Sequence, residues 1–169
     1  MHASPVPLAG SISVRVARPA DVPDAGDVVA HAYQADLSVS DSYLAQLRDA
    51  ESRAAQALLL VAVDGDTVVG SITYARAGTP LAQRARPDEA ELRMLGVAPA
   101  ARGRGIAEAL VRACLEQARA DGASGVVLST QTQMAAAQRL YERLGFQRRP
   151  ERDWVPEPGV YLLAYRRAL

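Results

Sequence analysis

The chain has 169 residues, 49% apolar and 5% aromatic, with nineteen acidic residues balancing nineteen basic ones. That length suits one domain whose core needs neither disulfides nor metals. The even charge offers no global field toward nucleic acid or a membrane surface, and no apolar run approaches the ~20 residues of a membrane span.

All nineteen Lys+Arg positions are arginine, and asparagine is absent too. This bias reads as the codon usage of a GC-rich genome, so it says little about partners. One cysteine excludes an intramolecular disulfide and fits a reducing cytoplasm. The opening "MHASPVPLAGS" lacks the basic and apolar regions of a secretion signal. Residues 1–11 are therefore expected to form a disordered tail ahead of one domain over 12–169.

In chain order, "SISVRVA" (11–17) alternates with period two and predicts a strand. "RPADVPDAGDVVAHAYQA" predicts a helix with Asp21 as N-cap, Pro23 in its first turn, and Val22, Val29 and Tyr33 at helical spacing. A second helix is expected over 41–55, with Leu44 and Leu47 inward. "ALLLVAVDGDTVVGSITYAR" predicts a hairpin about a two-residue Asp64-Gly65 turn. Residues 77–88 hold glycine, prolines and arginines and predict a loop; "EAELRMLGV" predicts the next strand, which Pro99 stops.

After Gly105, Leu110, Val111, Cys114, Leu115 and Ala118 form an apolar helix stripe that ends at Gly122. "GVVLST" (125–130) predicts a short buried strand, and "MAAAQRLYERLGF" a helix with Met134, Ala137, Leu140, Tyr141 and Leu144 on one face. Two last strands joined by a Pro-rich loop complete the order β-α-α-β-β-β-α-β-α-β-β, an α/β domain on a mixed sheet.

The segment "VAPAARGRGIAEAL" places Arg-Gly-Arg-Gly where a helix must begin. Amides of residues 103 to 107 would be unpaired donors at the positive end of the helix dipole, and small residues at 103, 105 and 107 leave room for an anion. The segment reads either as a pyrophosphate cradle or as a tight turn before a surface helix. A Walker P-loop is excluded for want of lysine, and a dinucleotide fingerprint is opposed by Glu108 where glycine is needed. One Arg-Gly unit leading an amphipathic helix is not a disordered RNA-binding repeat.

"LGVAPAARGRGIAEALV" resembles the acetyl-CoA-binding segment of the GNAT superfamily of N-acetyltransferases, with Arg102, Gly105 and Ala107 at its pattern positions. "AAAQRLYERLGF" is similar to the superfamily's second diagnostic segment, met by Ala137, Leu140, Tyr141, Gly145 and Phe146. The family often has asparagine where this chain has Met134. The resemblance covers residues 12–169 and implies a mixed, mostly antiparallel sheet of about seven strands with about four helices.

It further implies an acetyl-CoA-dependent enzyme that transfers an acetyl group to a primary amine of a small molecule or peptide, directly in a ternary complex. In the family the pantetheine arm enters between the fourth and fifth strands, here "EAELRMLGV" and "GVVLST". The implied cofactor contacts are Leu95, Gly96 and Val97 on the strand, Arg102, Gly103, Arg104, Gly105, Ile106 and Ala107 at the helix start, and Ala137 and Tyr141 on the later helix. The Leu95 amide is the implied oxyanion donor.

Acyl transfer to an amine needs a base for the amine, a donor for the developing oxyanion and an acid for the leaving thiolate. Tyr141 is the implied acid, and a core tyrosine on its spacing alone. Glu91 is the candidate base, expected on one strand face with Arg93, Leu95 and Val97, and Glu89 is its fallback. The alternative for Glu91 is a strand carboxylate paired with neighbours or solvent.

Cys114 reads as core rather than nucleophile. His31 reads as surface or acceptor rim, His2 lies in the tail, and one cysteine with two histidines makes no metal site. The resemblance implies that acceptor choice falls to "YQADLSVSDSY", "AGTPLAQRARPD" and "RRPERDWVPEPG"; in the last, Trp154 is a packed loop anchor or an apolar wall beside Asp153. No nucleic-acid or membrane partner is expected, and the chain is expected to be a monomer or homodimer. Two other classes stay open: a non-catalytic acyl-CoA-binding or regulatory domain, and a phosphate or RNA binder using Arg102, Arg104, Arg148 and Arg149.

Overall fold

The computed structural model describes residues 6–7 and 10–169. Its strands are β1 (Val6–Pro7), β2 (Ile12–Val16), β3 (Leu58–Asp64), β4 (Thr67–Arg76), β5 (Glu89–Val97), β6 (Gly125–Gln131), β7 (Gln147–Arg148), β8 (Trp154–Glu157) and β9 (Val160–Ala168). Its α-helices are α1 (Val22–Asp36), α2 (Asp41–Arg48), α3 (Ala50–Gln56), α4 (Ile106–Ala120) and α5 (Ala135–Arg143). The sheet runs β1-β2-β3-β4-β5-β6-β9-β7, with β8 against β9. Every pairing is antiparallel except β5 with β6.

The mixed, mostly antiparallel sheet expected from the sequence is present, with extra short strands. The tail expected over 1–11 falls mostly outside the described residues, and within it Val6–Pro7 pairs with β2.

Period-two alternation on β3 is apolar on both faces because both are covered. Leu59, Val61 and Val63 meet α1 and α2 through Val29 and Leu47. Leu60 and Ala62 meet the opposite layer, built on Ile106, Leu110 and Cys114 of α4 and Leu140 and Tyr141 of α5. Full burial of an Ile106 or Leu110 side chain contributes about 1.5–3 kcal/mol, and both are at most 1% exposed.

Four local expectations need correction. The hairpin turn is Gly65-Asp66, because Asp64 pairs with Thr67. The single helix over 41–55 is two, broken at Asp49 (ψ 63°), whose carboxylate accepts the Ser52 N–H at 3.1 Å. Asp21 precedes α1, but its carboxylate turns back to the Arg18 N–H at 2.7 Å and to Arg15 at 2.5 Å instead of capping. The C-terminal region forms three strands rather than two, and its Pro-rich stretch is the edge strand β8.

Candidate active site

Parallel pairing of β5 with β6 runs from Glu89↔Gly125 to Leu92↔Leu128 and stops there. Beyond that point Arg93–Val97 and Ser129–Gln131 are not paired with each other, so a gap opens in the middle of the sheet. A β-bulge sits at the same place. Ser71 pairs with Gly96 and Thr73 with Arg93, so Met94 and Leu95 together oppose Ile72, and Met94 adopts φ +54°.

The bulge corrects the expected strand face. Arg93 remains beside Glu91, but Leu95 and Val97 pack into the α4 layer while Met94 joins the α1 layer. Gly96 then faces α1 so closely that a Cβ there would lie 2.9 Å from Val29 Cα. No other residue fits without moving the helix.

Leu95, Ala137 and Tyr141 line the gap with Arg93, Ser129 and Thr130. Tyr141 is buried, its ring edge-on to Phe146 at 5.8 Å and tilted against Tyr165 at 6.3 Å. Its hydroxyl has no hydrogen-bond partner among the described residues. Burial, with a small contribution from Cys114, pushes its pKa up, so the proton stays on. Tyr141 is thus a packed ring whose protonated hydroxyl lies at the gap. Cys114 itself is buried in the core, where desolvation raises its pKa and disfavours a thiolate.

The Arg-Gly-Arg-Gly segment follows β5 and opens α4. Gly103 and Gly105 have φ of +79° and +76°, a left-handed backbone that side chains other than asparagine and aspartate rarely take. A Cβ at either would meet nothing within 4 Å, so conformation rather than crowding demands glycine. The first helical bond runs from the Ala109 N–H to the Gly105 carbonyl at 3.0 Å. The N–H groups of residues 103–108 therefore have no acceptor among the described residues, which is the donor set an anion would use. Arg102 and Arg104 face solvent but pair with Asp36 and Asp64, each at 2.9 Å.

On the α1 side the gap opens into a cleft of about 450 Å³. All three segments expected to choose the acceptor contribute: Tyr33, Val39 and Tyr43 from the first, Gln83 from the second, Trp154 and Glu157 from the third. Trp154 forms a wall, donating its indole N–H to Ser129 Oγ at 3.0 Å under the Arg84 guanidinium. Its neighbour Asp153 is held by Arg148 at 2.7 Å and the Ala164 N–H, so it is no amine site. His31 is exposed on α1 and does not line the cleft.

Glu91 lines the cleft and is 3% exposed. Its Oε2 accepts the Arg84 and Ala85 N–H groups at 2.8 and 3.1 Å, which fixes the loop before β5. Its Oε1 has no partner among the described residues. Desolvation raises its pKa, opposed by those two amides and by the charges of Arg93 and Arg84. Glu89 cannot substitute for it. Arg166 and Arg152 hold Glu89 at 2.7 and 2.9 Å, and with the Arg86 N–H they outweigh burial and lower its pKa to about 2.

Two cleft groups had no assigned role in the sequence reading. The Arg93 guanidinium makes no hydrogen bond or ion pair among the described residues, and the buried Thr130 hydroxyl is likewise without a partner. An arginine at period two from a glutamate inside an apolar strand, "EAELRML", was the available signal for Arg93.

The acetyltransferase (GNAT) family model matches residues 26–146. A Mus musculus protein described as probable N-acetyltransferase family 8 member 5 is 37% identical over 72% of this chain and 49% of its own. A Danio rerio N-acetylaspartate synthetase is 42% identical over 47% of this chain and 29% of its own. The matches thus span less than half the length of either relative. The crystal structure of a GNAT family acetyltransferase from Brucella melitensis in complex with acetyl-CoA aligns over 94% of this chain and 90% of its own, with TM-score 0.62 and 26% identity. The β5–β6 gap, the glycine-opened α4 and the family match over most of the domain lead to one conclusion: this chain belongs to the GNAT acetyltransferase family.

Proposed function

We propose that residues 12–169 form an N-acetyltransferase domain that moves an acetyl group from acetyl-CoA to a primary amine, directly and without an acyl-enzyme. The observation that carries this reading is the gap between β5 and β6, where Leu95, Ala137 and Tyr141 converge between the α4 donor set and the acceptor cleft. The residues present fit the cofactor. Unsatisfied amides at 103–108 suit its phosphates, and the unpaired edge of β5 suits an extended amide-bearing arm. Acetyl-CoA would supply the activated acyl carbonyl.

The chain's own groups supply the rest. Glu91 Oε1 accepts the proton of the incoming ammonium, directly or through one water. The Leu95 amide, set by the bulge, donates to the developing oxyanion. Tyr141, protonated at any working pH, donates to the departing sulfur. Cys114 is too deeply buried to act as an acyl carrier.

The test combines calorimetric titration with acetyl-CoA and a thiol-release assay over small amines and peptide N-termini. Binding with amine-dependent thiol release supports the reading. Binding without turnover on any amine would make the chain an acyl-CoA-binding domain instead.

A further inference from the structure

The cleft is lined by three charged side chains: Glu91 and Arg93 on β5 and the exposed Glu157 on β8. Arginines elsewhere in the protein, such as Arg15, Arg76, Arg148, Arg152 and Arg166, are paired with carboxylates. Arg93 is half-buried without such a partner. Glu91, its neighbour on the same face, spends one oxygen on the 84–85 amides and forms no ion pair with it. Arg93 thus presents a guanidinium to the cleft with no hydrogen bond or ion pair among the described residues, an arrangement that an incoming anion would satisfy.

We propose that the acceptor is a free α-amino acid whose carboxylate binds the Arg93 guanidinium while its ammonium faces Glu91. This rests on the acetyl-transfer reading and narrows its acceptor. A guanidinium is always charged and its planar fork matches a carboxylate through two parallel bonds. Glu91 and Arg93 are successive residues on one strand face, about 6.6 Å apart along the strand, so one small zwitterion can lie between them. Arg93 and Thr130 both line the cleft and the gap, so this corner is where an amine reaches the acyl site. The partnerless Thr130 hydroxyl, 4% exposed, is a further donor for the carboxylate. Tyr33, Tyr43, Met134, Trp154 and Leu162 form apolar walls for a side chain. A peptide N-terminus has no carboxylate next to its amine and would leave Arg93 unpaired.

L-Phenylalanine and phenethylamine differ only by that carboxylate and serve as paired probes. Thiol release with acetyl-CoA should favour L-phenylalanine by about 10- to 100-fold in kcat/KM, the value of a charge-assisted pair. Arg93→Gln should collapse that ratio toward one, chiefly through KM, and Arg93→Lys should restore part of it. An equal wild-type preference for the two amines, an equal loss on both in Arg93→Gln, or faster turnover of an alanyl-phenylalanine peptide would each overturn the proposal while leaving acetyl transfer intact. If no amine is acetylated, the transfer reading fails by itself, and calorimetry with L-phenylalanine still decides this one. Binding that Arg93→Gln abolishes supports the carboxylate site, and no binding to the wild type overturns it.

Discussion

Glu91 and Leu95 lie four residues apart on β5 yet face opposite sides of the sheet. An unbroken strand would put them on the same side. The bulge at Met94 reverses the alternation just where pairing with β6 ends. The candidate base therefore lines the cleft, while Leu95, the candidate oxyanion donor, lines the gap, so the two proposed roles sit on opposite sides of the sheet rather than along one face.

The α4 donor set predicts a charge effect at Gly105. Aspartate and asparagine are nearly the same size, and both tolerate its φ of +76° better than other side chains. Gly105→Asp should lose acetyl-CoA affinity by at least an order of magnitude more than Gly105→Asn, because its carboxylate repels the phosphates. Calorimetric titration of both variants, with circular dichroism for folding, makes the comparison. Equal affinities would remove the pyrophosphate from this site.

Tyr141→Phe keeps the ring that packs on Phe146 and Tyr165 and removes a hydroxyl with no partner among the described residues. Melting temperature should therefore hold within a degree or two, while kcat falls by ~10²-fold or more if the proton is used. A lowered melting temperature with unchanged kcat would return Tyr141 to a purely structural role.

How far the sequence could be read depends on which interactions are local. The α4 stripe, the strand "GVVLST" and the glycine-opened helix start follow from spacing within a few residues, and each is found where expected. The Met94 bulge carries no local mark: methionine is not a residue chosen for positive φ, and the twist comes from strand pairing at the sheet's gap. The break at Asp49 was missed because Leu44 and Leu47 keep helical spacing right up to it. Glu89 and Glu91 look equivalent as letters. Arg152 and Arg166, more than sixty residues away, separate their chemistry.

That separation sets an acid limit on stability. Glu89 is drawn from the ordinary 4.5 to about 2 in the folded chain. A depressed folded pKa stabilises the fold above the unfolded value, and this contribution is lost as pH falls from about 4.5 toward 2. The shift corresponds to about 3 kcal/mol at neutral pH. Glu89→Gln should lose a few kcal/mol in urea unfolding at pH 7, leaving the two partly buried arginines Arg152 and Arg166 uncompensated, and the wild-type advantage should vanish near pH 2. An unchanged difference between the two proteins across that range would show that Glu89 is not the group responsible.

Glu91 behaves in the opposite sense, and its pH dependence appears in activity. Desolvation raises its pKa, so it is a stronger base than an exposed glutamate and is lost to protonation sooner as the medium is acidified. An acceptor amine with a pKa of ~10 is mostly protonated at neutral pH, so under the proposed mechanism transfer depends on that base. The wild-type kcat/KM profile should show an acidic limb from Glu91. Glu91→Gln keeps a carbonyl oxygen for the Arg84 and Ala85 amides and so preserves the loop, but it cannot take a proton. Its rate should fall near neutrality, and its limb should move up toward the amine's own pKa, because the amine then sheds its proton to bulk water. The deficit should shrink with an acceptor of lower pKa, which needs less help. A merely structural Glu91 predicts parallel profiles and one constant loss for every acceptor. Measuring both proteins against two acceptors of different pKa decides between them.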